Sequence, residues 1–216
     1  MRDYFQEQLN ELNLELTKMG AACEEIIILA SRGLTEYSKE LAKQVQTIGQ
    51  QIDESERTIE NICLKLLLRQ QPVARDLRQI SAAMKMITDM ERIGDQSEDI
   101  VELIPHMERR ADEKYPKIRE MAKAAQTMVT EAVEAYVKQD LSLARKVMAH
   151  DDVVDDYFSR VKQGIIAIIA ENPGDGEYAL DLLMIAKYFE RIGDHCTNIA
   201  EWVEFSVTGE HKDSQK

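Results

Sequence analysis

Apolar residues recur along this chain at alternating intervals of three and four. Leu9, Leu12, Leu16, Met19, Cys23, Ile26 and Ala30 carry the rhythm first, and Leu41, Val45, Ile48, Ile52, Ile59, Ile62 and Leu66 carry it next. Such spacing lines up one stripe of an α-helix, and sustained a/d alternation marks the seam of a left-handed bundle. The pattern returns as Ala111, Tyr115, Ile118, Ala122, Ala125 and Val129, then as Ala144, Val147, Val154, Phe158, Val161, Ile165 and Ile168. A last helix shows it in Leu182, Ile185, Phe189, Ile192, Cys196, Ile199 and Val203. Nine glycines and four prolines in 216 residues are too few to punctuate a many-stranded β protein. The breaks they do supply are consistent with helices. Pro72 and Pro173 fall between second and third helices, Pro105 ends a first unit, and Asn172 to Gly176 reads as a loop. Gly33 and the stretch from Ser38 to Glu40 separate the first two helices, with Ser38 as an N-cap.

The chain is internally duplicated. Glu91-Arg92-Ile93-Gly94-Asp95 recurs letter for letter as Glu190-Arg191-Ile192-Gly193-Asp194, 99 residues later. The same gapless shift carries Lys39 to Lys138, Asp53 to Asp152, Asp76 to Asp175, Ile100 to Ile199 and Glu102 to Glu201. The expected fold is therefore all-α: two tandem, pseudo-symmetric three-helix bundles over residues 1–108 and 109–208, with a polar tail at 209–216.

Charge narrows the choice of partners. With 40 acidic and 27 basic residues the formal charge is −13, which repels nucleic-acid phosphates and anionic lipid. Direct nucleic-acid binding is not expected, and any membrane association would run through partners. The apolar runs Ile26 to Ala30 and Gly164 to Ala170 are too short to span a bilayer. Cys23, Cys63 and Cys196 are odd in number, scattered and without zinc-ligand spacing, which points to a reducing, cytoplasmic setting. The polar N-terminus does not read as a signal peptide.

The candidate chemistry lies in carboxylates beside the seam. Glu91 and Asp95, like Glu190 and Asp194, are four apart and share a helix face, with a glycine between them that lets a neighbour or an ion approach. One turn further lie Asp99 and its counterpart Asn198. An antiparallel hairpin turning near residue 71 pairs indices summing to about 142, bringing Asp53 and Glu56 toward Glu91; the shift of 99 adds Asp152 and Asp155 beside Glu190. Unpaired carboxylates at one level of a bundle repel strongly. They must protonate, pair with Arg92, Arg191 or Lys187, or hold a cation. Oxygen ligands suit Fe³⁺, Mn²⁺ or Mg²⁺. The Glu-x-x-His element of di-iron bundles is absent. His195, whose repeat partner is Gln96, reads as a surface residue; His106, His150 and His211 form no pattern, and Met84, Met86 and Met90 read as core fillers. Phosphate-loop, dinucleotide and nucleophile-elbow motifs are missing, so nothing points to an enzyme.

Pro72-Val73-Ala74-Arg75-Asp76-Leu77-Arg78, Asp89 to Asp95, Tyr188 to His195 and Leu16 to Gly20 together resemble the PhoU family, across nearly the whole chain. The resemblance implies accessory proteins of bacterial phosphate transport that repress the phosphate-starvation response. It implies an adaptor between the ATPase subunit of a phosphate ABC transporter and a phosphate-sensing histidine kinase, commonly as a homodimer. It also implies multinuclear iron or zinc clusters on Glu91/Asp95 and Glu190/Asp194, and a partner-docking role for Arg75, Asp76 and Arg78 in the first copy alone. A carboxylate-bridged metalloenzyme or metal store is the alternative that uses the same acids.

Overall fold

The seam residues are the ones that folding takes out of water. Ala111 and Tyr115 lie outside the described residues and Phe158 and Ile168 are half-buried; all the others are buried. The computed structural model describes residues 2–70, 73–107 and 116–210. Among them the chain forms α1 (Arg2–Glu36), α2 (Lys39–Gln70), α3 (Ala74–Leu103), α4 (Pro116–Lys138), α5 (Leu141–Glu171) and α6 (Gly176–Thr208), with single 3₁₀ turns at Ile104–Met107 and Pro173–Asp175. No strand occurs among the described residues. Pro72, His211 and the boundary between 108 and 109 lie outside them.

Local chemistry explains the ends. Ser38 Oγ accepts the Leu41 amide at 3.0 Å, which caps α2 as the sequence suggests. Asp140 does the same for α5, accepting from the Leu143 amide. Asn172 accepts the Gly174 amide and turns the chain into α6. Gly209, at φ 80°, ends α6 by donating its N–H to the Phe205 carbonyl, a left-handed cap that glycine adopts without strain. Gly33 does not break the first helix as expected. It lies inside α1, where Ile104 Cδ1 would stand 2.9 Å from an added Cβ.

Helices α1, α2 and α3 pack as one three-helix bundle and α4, α5 and α6 as a second. The bundles meet along α3–α6 and α1–α4, and their buried side chains join into one core. Asp89 contacts His195 and Asn198 while Tyr188 contacts Asp99, so α3 and α6 run antiparallel. Gly94 and Gly193 lie midway between these contacts, which puts both repeated motifs at the centre of the pseudo-two-fold relation. Tyr136, fully buried, crosses from α4 to donate to the Gln79 carbonyl on α3.

The gapless repeat of 99 holds only for the third helix of each bundle. Buried Val45, Ile52, Ile59 and Cys63 of α2 correspond to Val147, Val154, Val161 and Ile165 of α5, a shift of 102. Leu16, Met19, Cys23, Ile26, Ile27 and Ala30 of α1 correspond to Ile118, Met121, Ala125, Met128, Val129 and Ala132 of α4 by the same shift. Three residues are missing from the second copy in the α5–α6 hairpin. A hairpin end borders solvent, so three residues can be lost there without disturbing the core.

Candidate functional site

In the first bundle the repeated glycine brings α2 against α3. A Cβ added at Gly94 would stand 3.2 Å from Ile52 Cδ1, so the missing side chain is filled by the neighbouring helix. Gly49 on α2 answers it from the other side: Glu98 Oε1 lies where a Gly49 Cβ would meet it at 1.8 Å. A cleft of about 130 Å³ opens here, with Asp53, Asp95 and Glu98 in its walls. These contacts pair indices summing to about 146, one turn from the expected 142. Asp53 therefore stands at the level of Asp95, and Glu56 at the level of Glu91.

The acids form a stripe rather than a cage. Burial raises the Glu91 pKa, as does the charge of Asp95, and Glu56 and Asp53 add smaller pushes; Arg92 opposes them. Glu98 is raised by burial, then by Asp95 and Asp53. Glu56 is raised by burial, Glu60 and Asp53. Arg92 supplies the counter-charge, reaching Asp95 at 3.0 Å and Glu91 at 3.4 Å from an exposed position.

In the second bundle Val154 Cγ1 and Asp151 Oδ1 lie 3.2 and 3.3 Å from the place of a Gly193 Cβ. Burial and the charges of Asp194, Asp155 and Glu190 push the Asp151 pKa up to about 6, with the neighbouring Thr197 holding it down in part. Asp194 is raised by burial and by Glu190. Lys187 pairs with Glu190 and lies 5.6 Å over the Phe158 ring. Asp155 belongs to this stripe. Asp152 does not, because it is three residues out of register: the position equivalent to Asp53 is Asp155.

Asp99 and Asn198 also leave their expected places. Asn198 Nδ2 donates to Asp89 Oδ1 at 3.1 Å, across to the other bundle. Asp99 accepts from Tyr188 in the reciprocal contact, with Arg191 close by, and burial and Glu102 raise its pKa. His195 is not a surface residue, since its Nδ1 lies 2.9 Å from Asp89 in the same interface. Glu98 and Asp151 are the acids that sequence reasoning missed. Under the corrected register Asp151 occupies the place of Gly49, and Thr197 that of Glu98. One carboxylate has changed sides of the groove between the copies.

The remaining candidates lie elsewhere. Arg75 is exposed and Asp76 half-buried in the first turn of α3. Arg78 packs on Gly209 at the C-terminal end of α6, so it has work within the fold. Cys23, Cys63 and Cys196 are free and buried, and burial pushes the Cys23 and Cys63 thiols up to about 12. They cannot serve as ready thiolate ligands. Among the described residues no three His, Cys, Asp or Glu side chains are gathered closely enough to hold a metal ion as they stand. The donor set is nevertheless all oxygen, and each stripe carries repulsion that a cation would relieve.

A model of the PhoU domain matches the chain twice, over residues 16–104 and 118–203. The chain belongs to the PhoU family. A PhoU homologue of Clostridium acetobutylicum, named a phosphate-specific transport system accessory protein, is 32% identical over 214 residues, covering 98% of each chain. A Synechocystis protein of the same name is 33% identical, over 98% of this chain and 94% of its own. The crystal structure of PhoU from Pseudomonas aeruginosa superimposes with a TM-score of 0.89 at 32% identity, covering 95% of this chain and all of that one. The PhoU fold thus accounts for both bundles, and the chain is a phosphate-transport accessory protein of this family. Among the described residues no helix is long and apolar enough to cross a membrane.

Proposed function

We propose that this PhoU-family chain is a non-enzymatic cytoplasmic regulator that represses the phosphate-starvation response and adjusts phosphate uptake. It docks on the ATPase subunit of a phosphate ABC transporter and on a phosphate-sensing histidine kinase. The observation that carries this reading is the family match over both bundles, joined to whole-length similarity with relatives named for phosphate-specific transport. The charge of −13 supports docking on basic partner surfaces and speeds the encounter. Exposed Arg75 and half-buried Asp76, at the start of α3, are docking residues in this scheme. Exposed Ile166, Ile169, Leu180 and Met184 near the α5–α6 hairpin support a homodimer.

The two acidic stripes hold cations in this scheme: Asp53, Glu56, Glu91, Asp95 and Glu98 in the first bundle, Asp151, Asp155, Glu190 and Asp194 in the second. Oxygen donors favour iron, manganese or magnesium over zinc. A bound cation would neutralise the stripe and draw its side chains inward.

Deleting the gene should switch on phosphate-starvation promoters in phosphate-rich medium, and the intact gene should silence them again. Promoters that stay silent in the deletion strain would sink the regulatory reading. Purified ATPase subunit should retain the chain on a column, and Arg75→Ala/Asp76→Ala should weaken retention several-fold.

A further inference from the structure

A second groove lies between the C-terminal half of α1 and the N-terminal half of α4, away from both acidic stripes. Its volume is about 410 Å³, within the size range of small-molecule sites. Three cations line it in a chain whose net charge is −13: Arg32 from α1, and Arg119 and Lys123 from one face of α4. Arg32 is held by Glu36 at 3.6 Å, the one carboxylate in the lining. Lys123 forms no ion pair among the described residues, and the half-buried Ser31 hydroxyl forms no hydrogen bond among them. Ile27 and Ala122 are buried beneath, and Ile28 is 42% exposed beside them.

The pseudo-symmetry supplies a control within the molecule. Shifting by 102 maps Ser31 and Ala122 at this groove onto Val133 and Gly20 at the other end of the α1–α4 crossing. There Val133 Cγ2 fills the space, 3.0 Å from where a Gly20 Cβ would stand. The positions equivalent to Arg119 and Lys123 are Thr17 and Ala21, and the position equivalent to Arg32 is Glu134. The repeat architecture closes one end, where the one cation, Lys138 in place of Glu36, is paired with Glu134. The open, cationic end is therefore a property of these residues and not of the fold.

We propose that this groove binds a phosphate-bearing small molecule of nucleotide size. Arg32, Arg119, Lys123 and the Ser31 hydroxyl would take the phosphoryl oxygens, since guanidinium and ammonium donors match them in charge and geometry. The apolar floor would take the body of the ligand. Inorganic phosphate alone would leave that floor unused.

The test is calorimetric titration of the full chain with ATP, inorganic phosphate and adenosine, in magnesium-free buffer with a chelator. ATP should bind at least tenfold more tightly than phosphate, adenosine should not bind, and raised salt should weaken ATP. Arg119→Glu/Lys123→Glu should weaken ATP at least tenfold, while Lys43→Glu/Lys65→Glu, the same charge change on α2, should alter it less than twofold. Ser31→Trp fills the groove without touching a charge and should abolish binding, which keeps the test alive if the double variant fails to fold. ATP that does not bind, or binds equally to Ser31→Trp, would overturn the proposal. So would adenosine or phosphate binding as tightly as ATP. An acidic phosphopeptide that binds where ATP does not would also overturn it, and would make the groove a docking site for a protein segment.

Discussion

The two bundles share a fold and a five-residue motif, yet they place their charges differently. In the first, Gly49 leaves room for Glu98 to cross from α3 onto the backbone of α2. In the second, Asp151 projects from α5 and Thr197 stands where the glutamate was. The carboxylate count at that level is kept although its helix of origin changes. What repeats is the acidity of the groove, while the residue supplying it is free to move. At the neighbouring level the copies diverge: Glu56 and Thr88 of the first bundle become Phe158 and Lys187 of the second, so the second stripe brings its own cation. The first stripe relies on exposed Arg92.

The largest effect should come from the packing that both copies share. Ile52→Ala removes the side chain filling the Gly94 notch and should destabilise by about 3 kcal/mol in urea unfolding; Val154→Ala, with less volume lost, by about 2 kcal/mol. Equal and negligible losses would break the view that these glycines exist for helix approach.

The next contrast is titration. The Asp151 pKa is about 6 in the folded chain against 3.8 ordinarily, so folding takes up a proton there. Its ionised form opposes folding above pH 6, and that penalty fades as pH falls from 6 toward 3.8. Chelator-treated protein should lose stability from pH 5 to pH 7, and Asp151→Asn should flatten that slope and raise the pH 7 melting temperature by about 3 °C. A variant that melts lower at pH 7 would contradict it.

Most of the fold was legible in the sequence, because a/d periodicity reports directly which side chains leave water. The repeat was legible too, but its register was not. The motif copies lie 99 apart and invite one shift for the whole chain, whereas the seam residues Val45, Ile52 and Ile59 match Val147, Val154 and Val161 only at 102. Aligning seams instead of motifs would have paired Gly49 with Asp151 and set Asp152 aside. The roles of Asp99, Asn198 and His195 were illegible for another reason. They depend on how one bundle sits on the other, which periodicity within a helix does not encode.

Smaller effects would sharpen the contrast between stripes. Lys187→Thr should tighten Mn²⁺ binding at the second stripe about fivefold, and Thr88→Lys should weaken it at the first by a similar factor, both by isothermal titration. No change in either would remove Lys187 from the electrostatic account. The smallest effect belongs to a transplant. Gly49→Asp/Glu98→Thr gives the first groove the second groove's arrangement and should leave the melting temperature within about 2 °C. A loss of 10 °C would show that the two arrangements are not interchangeable.

The most direct measurement is elemental analysis of untagged protein purified without chelators, alongside Asp95→Asn/Glu98→Gln and Asp151→Asn/Asp194→Asn. Two cation-holding stripes predict stoichiometric iron, manganese or magnesium in the wild type, falling by about half in each variant. Metal-free wild type, or metal retained in full by both variants, would contradict the account and leave the acids as docking surface alone.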